Sequence, residues 1–394
     1  MLYLDNAATT PLEKSVLDDM MPYLTTQFGN PSGAHKVSRE IRVAVDKARR
    51  SVAEMLGAKN TEIYFTSSGT EADNWALRGV FEATDKKHLI ITQVEHHANL
   101  YQAKALEKKG IKVTYLPVDE FGFINLEELD KSITGDTALV SVIFANNEVG
   151  TIQPLKKISE ITKKHGVLLH TDAVQAVGHI PVNVNDLGVD LLSLSAHKFY
   201  GPKGSGALYI KTGTKIGNLF IGGAQERNRR AGTENVAGII GLESALKFSL
   251  CTLEPDKKRI SLLRDALIDK IKTEIPYTIL NGAVGEDRLP GNVNFSFRFI
   301  EGESILLHLD MQGICASTGS ACSSGALEPS HVLMAMGLGH EHANGAIRFS
   351  LGKDFTEEQI PVLMKVLVPT IEKLRNLSPL YDDFLKSEGV TNGI

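Results

Sequence analysis

Cys322 stands in "STGSACSSG" (317–325), a stretch of small and hydroxyl residues with no bulky apolar side chain to hold it down. A structural cysteine wants apolar surroundings, because a free thiol packs as a small hydrophobe. A thiol that must travel wants a segment of this composition, and mobility of 317–325 is the expectation. Lys198, in "SAHKFYGPKG", follows the apolar run "LLSLSA" (191–196). A lysine buried at a strand end tends to lose its proton and become a nucleophilic amine. Asp172, in "HTDAVQAVG", lies near the end of "VLLHTDA" (167–173), where an unpaired carboxylate is costly and a buried cation would satisfy it. "TSSGTEADN" follows "EIYFT" (62–66) and opens a helix near Thr70, whose free N–H groups suit a phosphate. Taken singly, each has an ordinary reading: a helix cap for the serines and for Asp172, a snorkelling side chain for Lys198. Taken together, they meet the needs of pyridoxal 5'-phosphate: a lysine for the aldehyde, an acid for the pyridine nitrogen and a cradle for the phosphate.

Further groups sit on the same edge. In "VEHHANL" (94–100) His96 and His97 are adjacent on a helix start and cannot face one metal ion, and no Cys/His set completes a site. A ring stacked on a cofactor and available for proton transfer suits one of them better. "FANNEVG" (144–150) offers Asn147 as a hydrogen-bond donor to the cofactor. Arg348, inside the strand-like run "GAIRFSLG" (345–352), suits bidentate recognition of a carboxylate or, equally, a structural ion pair. "GHEHANG" (339–345) reads as a polar loop.

These residues need elements to carry them. Seven β-rich runs recur from residue 62: 62–66, 88–93, 112–118, 138–145, 167–173, 191–196 and 206–210. Most are continuous Val/Ile/Leu stretches, as in strands buried on both faces of a mainly parallel sheet. Helical patterns at 70–83 and 155–166 alternate with them, so the class is α/β. Beyond about 250 the rhythm changes to a long polar helix (257–273), the strand "GNVNFSFRFI" (291–300) and a last helix at 356–376, a smaller α+β domain. The boundary is expected within 248–259, where Pro255 and a charge run interrupt the pattern. With 42% hydrophobic and 23% charged residues over 394 positions and a net charge of −5, the chain reads as a soluble protein without a nucleic-acid or membrane partner. Three cysteines are too few for a disulfide framework, so a reducing cytoplasm is expected. Cys251 and Cys315 read as small packing residues, although Cys315 lies seven positions before Cys322 and could form a disulfide with it.

"LDNAATTP", "FGNPSGAH", "TSSGTEADN", "VEHHA", "ANNEVGTIQP", "HTDAVQAVG", "SAHKFYGPKG", "GGAQERNRRAGTEN" and "STGSACSSGALEPSHVLMAMG" occur in that order. The chain resembles the group I cysteine desulfurases, the NifS/IscS-like branch of the class V aminotransferases, from about residue 2 to about 380. The resemblance implies a fold type I pyridoxal-phosphate homodimer, with a large domain over 12–255 and a small domain from 1–11 and 256–394. It implies that Lys198 is the Schiff-base lysine, His96 the ring-stacking histidine and Asp172 the partner of the pyridine nitrogen. Gln175 and Asn147 match contacts to the ring oxygen and substrate region, and Gly69, Thr70, Ser195 and His197 match phosphate contacts. Thr233 matches a threonine reaching the neighbouring subunit's phosphate. Arg348 matches the substrate-carboxylate arginine, with Asn30 a nearby substrate contact. Cys322 matches the nucleophile, with His96 as its acid/base partner. The implied reaction takes sulfur from L-cysteine, leaving alanine and a persulfide on Cys322. That sulfur then passes to an iron–sulfur scaffold protein or another acceptor, for cluster assembly or tRNA thiolation. Selenocysteine lyase activity, and a scaffold that only docks sulfur acceptors, are the alternatives.

Overall fold

The seven apolar runs pair into one sheet. A computed structural model describes residues 1–318 and 329–388; Cys322 and 319–325 of the serine-rich stretch lie outside the described residues. The described strands are β1 (Leu2–Tyr3), β2 (Ile63–Thr66), β3 (His88–Thr92), β4 (Lys112–Leu116), β5 (Thr137–Ile143), β6 (Leu168–Asp172), β7 (Leu191–Ser195), β8 (Gly206–Ile210), β9 (Thr278–Leu280), β10 (Asn292–Phe297), β11 (Ile314–Cys315) and β12 (Ala346–Ser350). The large sheet has the order β2-β8-β7-β6-β5-β3-β4, and β8 alone runs against its neighbours. Its interior strands are buried on both faces, which is why they read as unbroken apolar runs. Helices Lys36–Leu56, Leu155–Lys164 and Val236–Cys251 pack on one face, and Gly69–Glu82 with His97–Glu107 on the other. All parallel strands therefore end at one edge, where ligands of such sheets bind.

A second core gathers around the antiparallel sheet β12-β10-β9 and helices Leu253–Glu274, Gly302–Met311 and Gln359–Asn376. Leu2 and Leu4, from the start of the chain, belong to this core, and β1 pairs in parallel with β11. No single described helix is long and apolar enough to cross a membrane.

The structure differs from the sequence reading at several element ends. The long polar helix begins at Leu253, so the break falls at Thr252, and Pro255 sits inside the helix's first turn, where a missing N–H costs nothing. Residues His340–Asn344 form a short helix where a loop was expected, and Pro379–Ser387 adds a helix that the patterning did not mark. Cys251 does not pack as a small apolar residue: it is exposed on the last turn of its helix, whereas Cys315 is half-buried.

Candidate active site

A cavity of about 390 Å³ opens at the carboxyl edge of the large sheet. Ten residues singled out from the sequence line it: Gly69, Thr70, His96, Asn147, Asp172, Gln175, Ser195, His197, Lys198 and Arg348. Nine of them lie at or just after the ends of β2, β3, β5, β6 and β7, and Arg348 comes from the middle of β12. Thr66 ends β2, and Ser68 caps the next helix by accepting the N–H of Glu71 at 3.1 Å. The first-turn N–H groups have no carbonyl partner within the helix, and Gly69 and Thr70 put them at the cavity wall. Gly69 has to be glycine for space, since a Cβ there would lie 2.6 Å from Val174 Cγ2.

His96 caps the helix His97–Glu107, its Nδ1 accepting the Ala98 N–H at 3.1 Å. That bond assigns the proton of the neutral ring to Nε2. Burial, then the Lys198 cation, holds the imidazole down at about 4, so it is neutral at pH 7. His197 is likewise pushed down to about 4 by burial and Lys198, and its Nδ1 lies 3.1 Å from Thr9 Oγ1. The His97 ring turns away and stacks on Tyr101 at 4.8 Å, so the two adjacent histidines do not converge.

Asp172 ends β6 with Oδ1 accepting the Val174 N–H at 2.9 Å. Burial raises its pKa, opposed by that bond and by Lys198. Behind it runs a polar chain across the sheet. His170 Nδ1 meets Ser141 Oγ at 2.8 Å and its Nε2 meets Ser193 Oγ at 3.0 Å, with Asp73 Oδ1 at 3.6 Å. Burial pushes His170 down to about 3, so it is neutral, while burial and the charge of Asp172 push Asp73 up. Asp73 was not anticipated from the sequence, yet it lines the cavity, and its Oδ1 has no hydrogen bond among the described residues.

The other unanticipated contributor is the N-terminal segment 5–10. Lys198 Nζ donates to the carbonyls of Ala7 (2.6 Å) and Ala8 (2.9 Å), and Gln175 Nε2 donates to Ala7 at 2.8 Å. Of the two roles the sequence allowed Arg348, the structure shows the ion pair. Its Nη2 pairs with Asp5 Oδ1 at 2.8 Å and its Nη1 donates to Asn147 O at 2.8 Å, while the residue still lines the cavity. Two residues are not brought to the cavity of this chain: Asn30 and Thr233 are exposed and do not line it. Cys322 lies outside the described residues, but Ser317 on one side exchanges backbone bonds with Arg348 (2.6 and 3.1 Å). On the other side Ser330 donates to the Glu148 carboxylate, and His331 Nε2 meets Glu95 O at 2.9 Å.

Residues 2–363 match the family described as aminotransferase class-V. The chain belongs to that family. A curated class-V relative, "Cysteine desulfurase IscS" of Clostridium botulinum, is 52% identical over 390 residues, 98% of each chain. Among solved structures, a "NifS-like protein" superposes with a TM-score of 0.89 at 40% identity, covering 95% of this chain and 100% of its own. "SspA in complex with cysteine" follows at 0.79 and 34%, covering 89% and 99%. The class-V family thus supplies the fold and the cysteine desulfurase relatives, and the cavity lies where the strand ends put it.

Proposed function

We propose that this protein works in this cavity with pyridoxal phosphate as its cofactor, carrying out the cysteine desulfurase reaction that its relatives' names give. The observation that carries the reading is the convergence of Lys198, Asp172, His96 and Arg348 with the helix start at Gly69 on one cavity. The residues fit the cofactor. Gly69, Thr70, Ser195 and His197 would hold its phosphate, Asp172 its pyridine nitrogen, and Asp73 Oδ1 is a buried oxygen still without a hydrogen bond among the described residues. Bound there, the cofactor supplies an electron sink that labilises bonds at the substrate's α- and β-carbons.

The chain's own residues do the rest. Arg348 holds the carboxylate of L-cysteine, and Lys198 Nζ takes the proton from its α-carbon. His96, neutral with its proton on Nε2, exchanges a proton with the substrate sulfur. The Cys322 thiolate attacks that sulfur; the S–S bond forms as the Cβ–S bond breaks, and its electron pair stays with the carbon fragment. That fragment takes a proton at Cβ and regains one at Cα from Lys198 Nζ to leave as alanine. Cys322 is five residues from Ser317, a span of at most about 18 Å, so its anchor beside Arg348 keeps it within range. The exposed Thr233 serves a second copy of the chain in a homodimer, and the persulfide passes to a sulfur acceptor in the cytoplasm.

The test is alanine released from L-cysteine with a reductant present, comparing wild type with Cys322→Ala. The variant is expected to keep the cofactor's colour and lose almost all alanine release. Equal release by both would remove Cys322 from the mechanism.

A further inference from the structure

Arg348 is only 3% exposed, and its guanidinium has a carboxylate partner within its own chain. That partner, Asp5, is held from both sides. Leu4 O accepts the Ser350 N–H at 2.7 Å, and the Ala7 N–H donates to Ser350 Oγ at 2.9 Å, so residues 4–7 are zipped to β12 two positions beyond Arg348. Tyr3 Oη donates to the backbone carbonyl of Asp5 at 3.1 Å and to that of Thr9 at 2.8 Å, closing the turn around it. On the arginine, Nη1 is fixed by Asn147 O at 2.8 Å, while Nε is buried and finds no hydrogen bond among the described residues. A buried guanidinium with no anion beside it is costly, and an orphaned buried N–H adds to that cost. Asp5 offsets the charge and leaves Nε waiting for an acceptor.

We propose that Asp5 is a built-in competitor for the carboxylate seat on Arg348, a positioning residue that keeps the guanidinium paired while the site is empty and weakens its hold on an incoming carboxylate. The inference rests on the reading of Arg348 given above. Asp5 contributes a full negative charge about one hydrogen bond from the guanidinium, so a second carboxylate on Arg348 meets repulsion from it. The same contact fixes the arginine, so the orphaned Nε–H is presented in one place. Asp5 thus sacrifices affinity for a site that is assembled before the substrate arrives.

The probe is propionate, a carboxylate without amine or thiol, titrated against the full-length protein, with and without pyridoxal phosphate, and read as a shift of the thermal midpoint. Asp5→Asn keeps an oxygen for Arg348 and removes the charge. It is expected to bind propionate about three- to tenfold more tightly than wild type, and the gain is expected to vanish in Asp5→Asn/Arg348→Gln. The KM for L-cysteine should fall by a similar factor with kcat changed less, a split that general loosening of the fold would not produce. Propionate binding by a folded Asp5→Asn that is unchanged or weaker overturns the proposal; Asp5→Ser serves the same comparison if the asparagine variant does not fold. Propionate binding that survives in Arg348→Gln alone shows that the carboxylate seat is elsewhere, which overturns the assignment of Arg348 and this inference with it.

Discussion

Glu95 shows how a buried carboxyl can stay out of sight in a sequence. It accepts from Thr92 Oγ1 (2.9 Å), Asn99 Nδ2 (2.9 Å) and the Ile143 N–H (2.7 Å), and burial pushes its pKa up to about 8. The folded value lies above the unfolded one, so its stabilising effect is whole below about 4.5 and is lost as pH rises towards 8, at about 1.4 kcal/mol per pH unit. Glu95→Gln removes that dependence, and its amide can donate to Asn99 Oδ1, which has no hydrogen bond among the described residues. Urea unfolding of variant and wild type at pH 5 and pH 8 should therefore show the difference moving in the variant's favour by roughly 2–4 kcal/mol. A difference that stays flat would mean that Glu95 ionises normally. Nothing in "VEHHANL" marks this residue, because its burial depends on Thr92, Asn99 and Ile143, which come from three elements. Lys198, Asp172 and Arg348 could be read because each is a charged residue in or beside an apolar run. The carbonyls of Ala7 and Ala8 could not, since a backbone acceptor leaves no trace in residue type.

At the scale of elements, the helix Gly69–Glu82 combines a cap, an N-terminus and a close approach to Val174. Gly69 has ordinary helical geometry, so alanine there gains about 0.5–1 kcal/mol of helix propensity. Its Cβ would nevertheless meet Val174 Cγ2 at 2.6 Å, and the first turn or the loop after β6 must move. Gly69→Ala is expected to weaken cofactor binding by about tenfold or more through the displaced N–H groups, as followed by absorbance during titration with pyridoxal phosphate. Val174→Ala in the same chain removes the offending methyl and should restore most of the affinity. A double variant no better than the single one would show that the helix start needs its glycine for another reason. The interior strands of the large sheet were readable because burial on both faces imposes an unbroken apolar run, whereas the half-exposed edge strand β4 was readable from its β-branched and aromatic residues. β1 and β11 were not, since two-residue strands exist only through each other. The helix start at Leu253 was hidden by Pro255, which reads as a breaker yet is harmless in a first turn.

At the scale of the whole molecule, the first ten residues form a strap that links the second core to the large sheet at the site, beside ties such as the bond from Arg348 to Asn147 O. Leu2 and Leu4 are packed into the second core, Asp5 holds Arg348, and Ala7 and Ala8 accept from Lys198. Thr10 then ties the strap to the first core: its hydroxyl donates to His197 O at 3.0 Å and accepts the Tyr200 N–H at 2.7 Å. Tyr200 sits at φ 67, a conformation that a non-glycine residue keeps only where its surroundings fix it. Two equivalent truncations separate stability from this linkage. Leu4 and Leu367 are both fully buried in the second core, and either change to alanine should cost about 2–5 kcal/mol. Only Leu4 is covalently next to Asp5 and three residues from Ala7. At matched loss of stability, Leu4→Ala should raise the KM for L-cysteine several-fold and speed cofactor loss on dialysis, while Leu367→Ala changes neither. Equal effects of the two would mean that the second core supports the site as a whole, through β12 and Arg348, and that the strap adds nothing of its own.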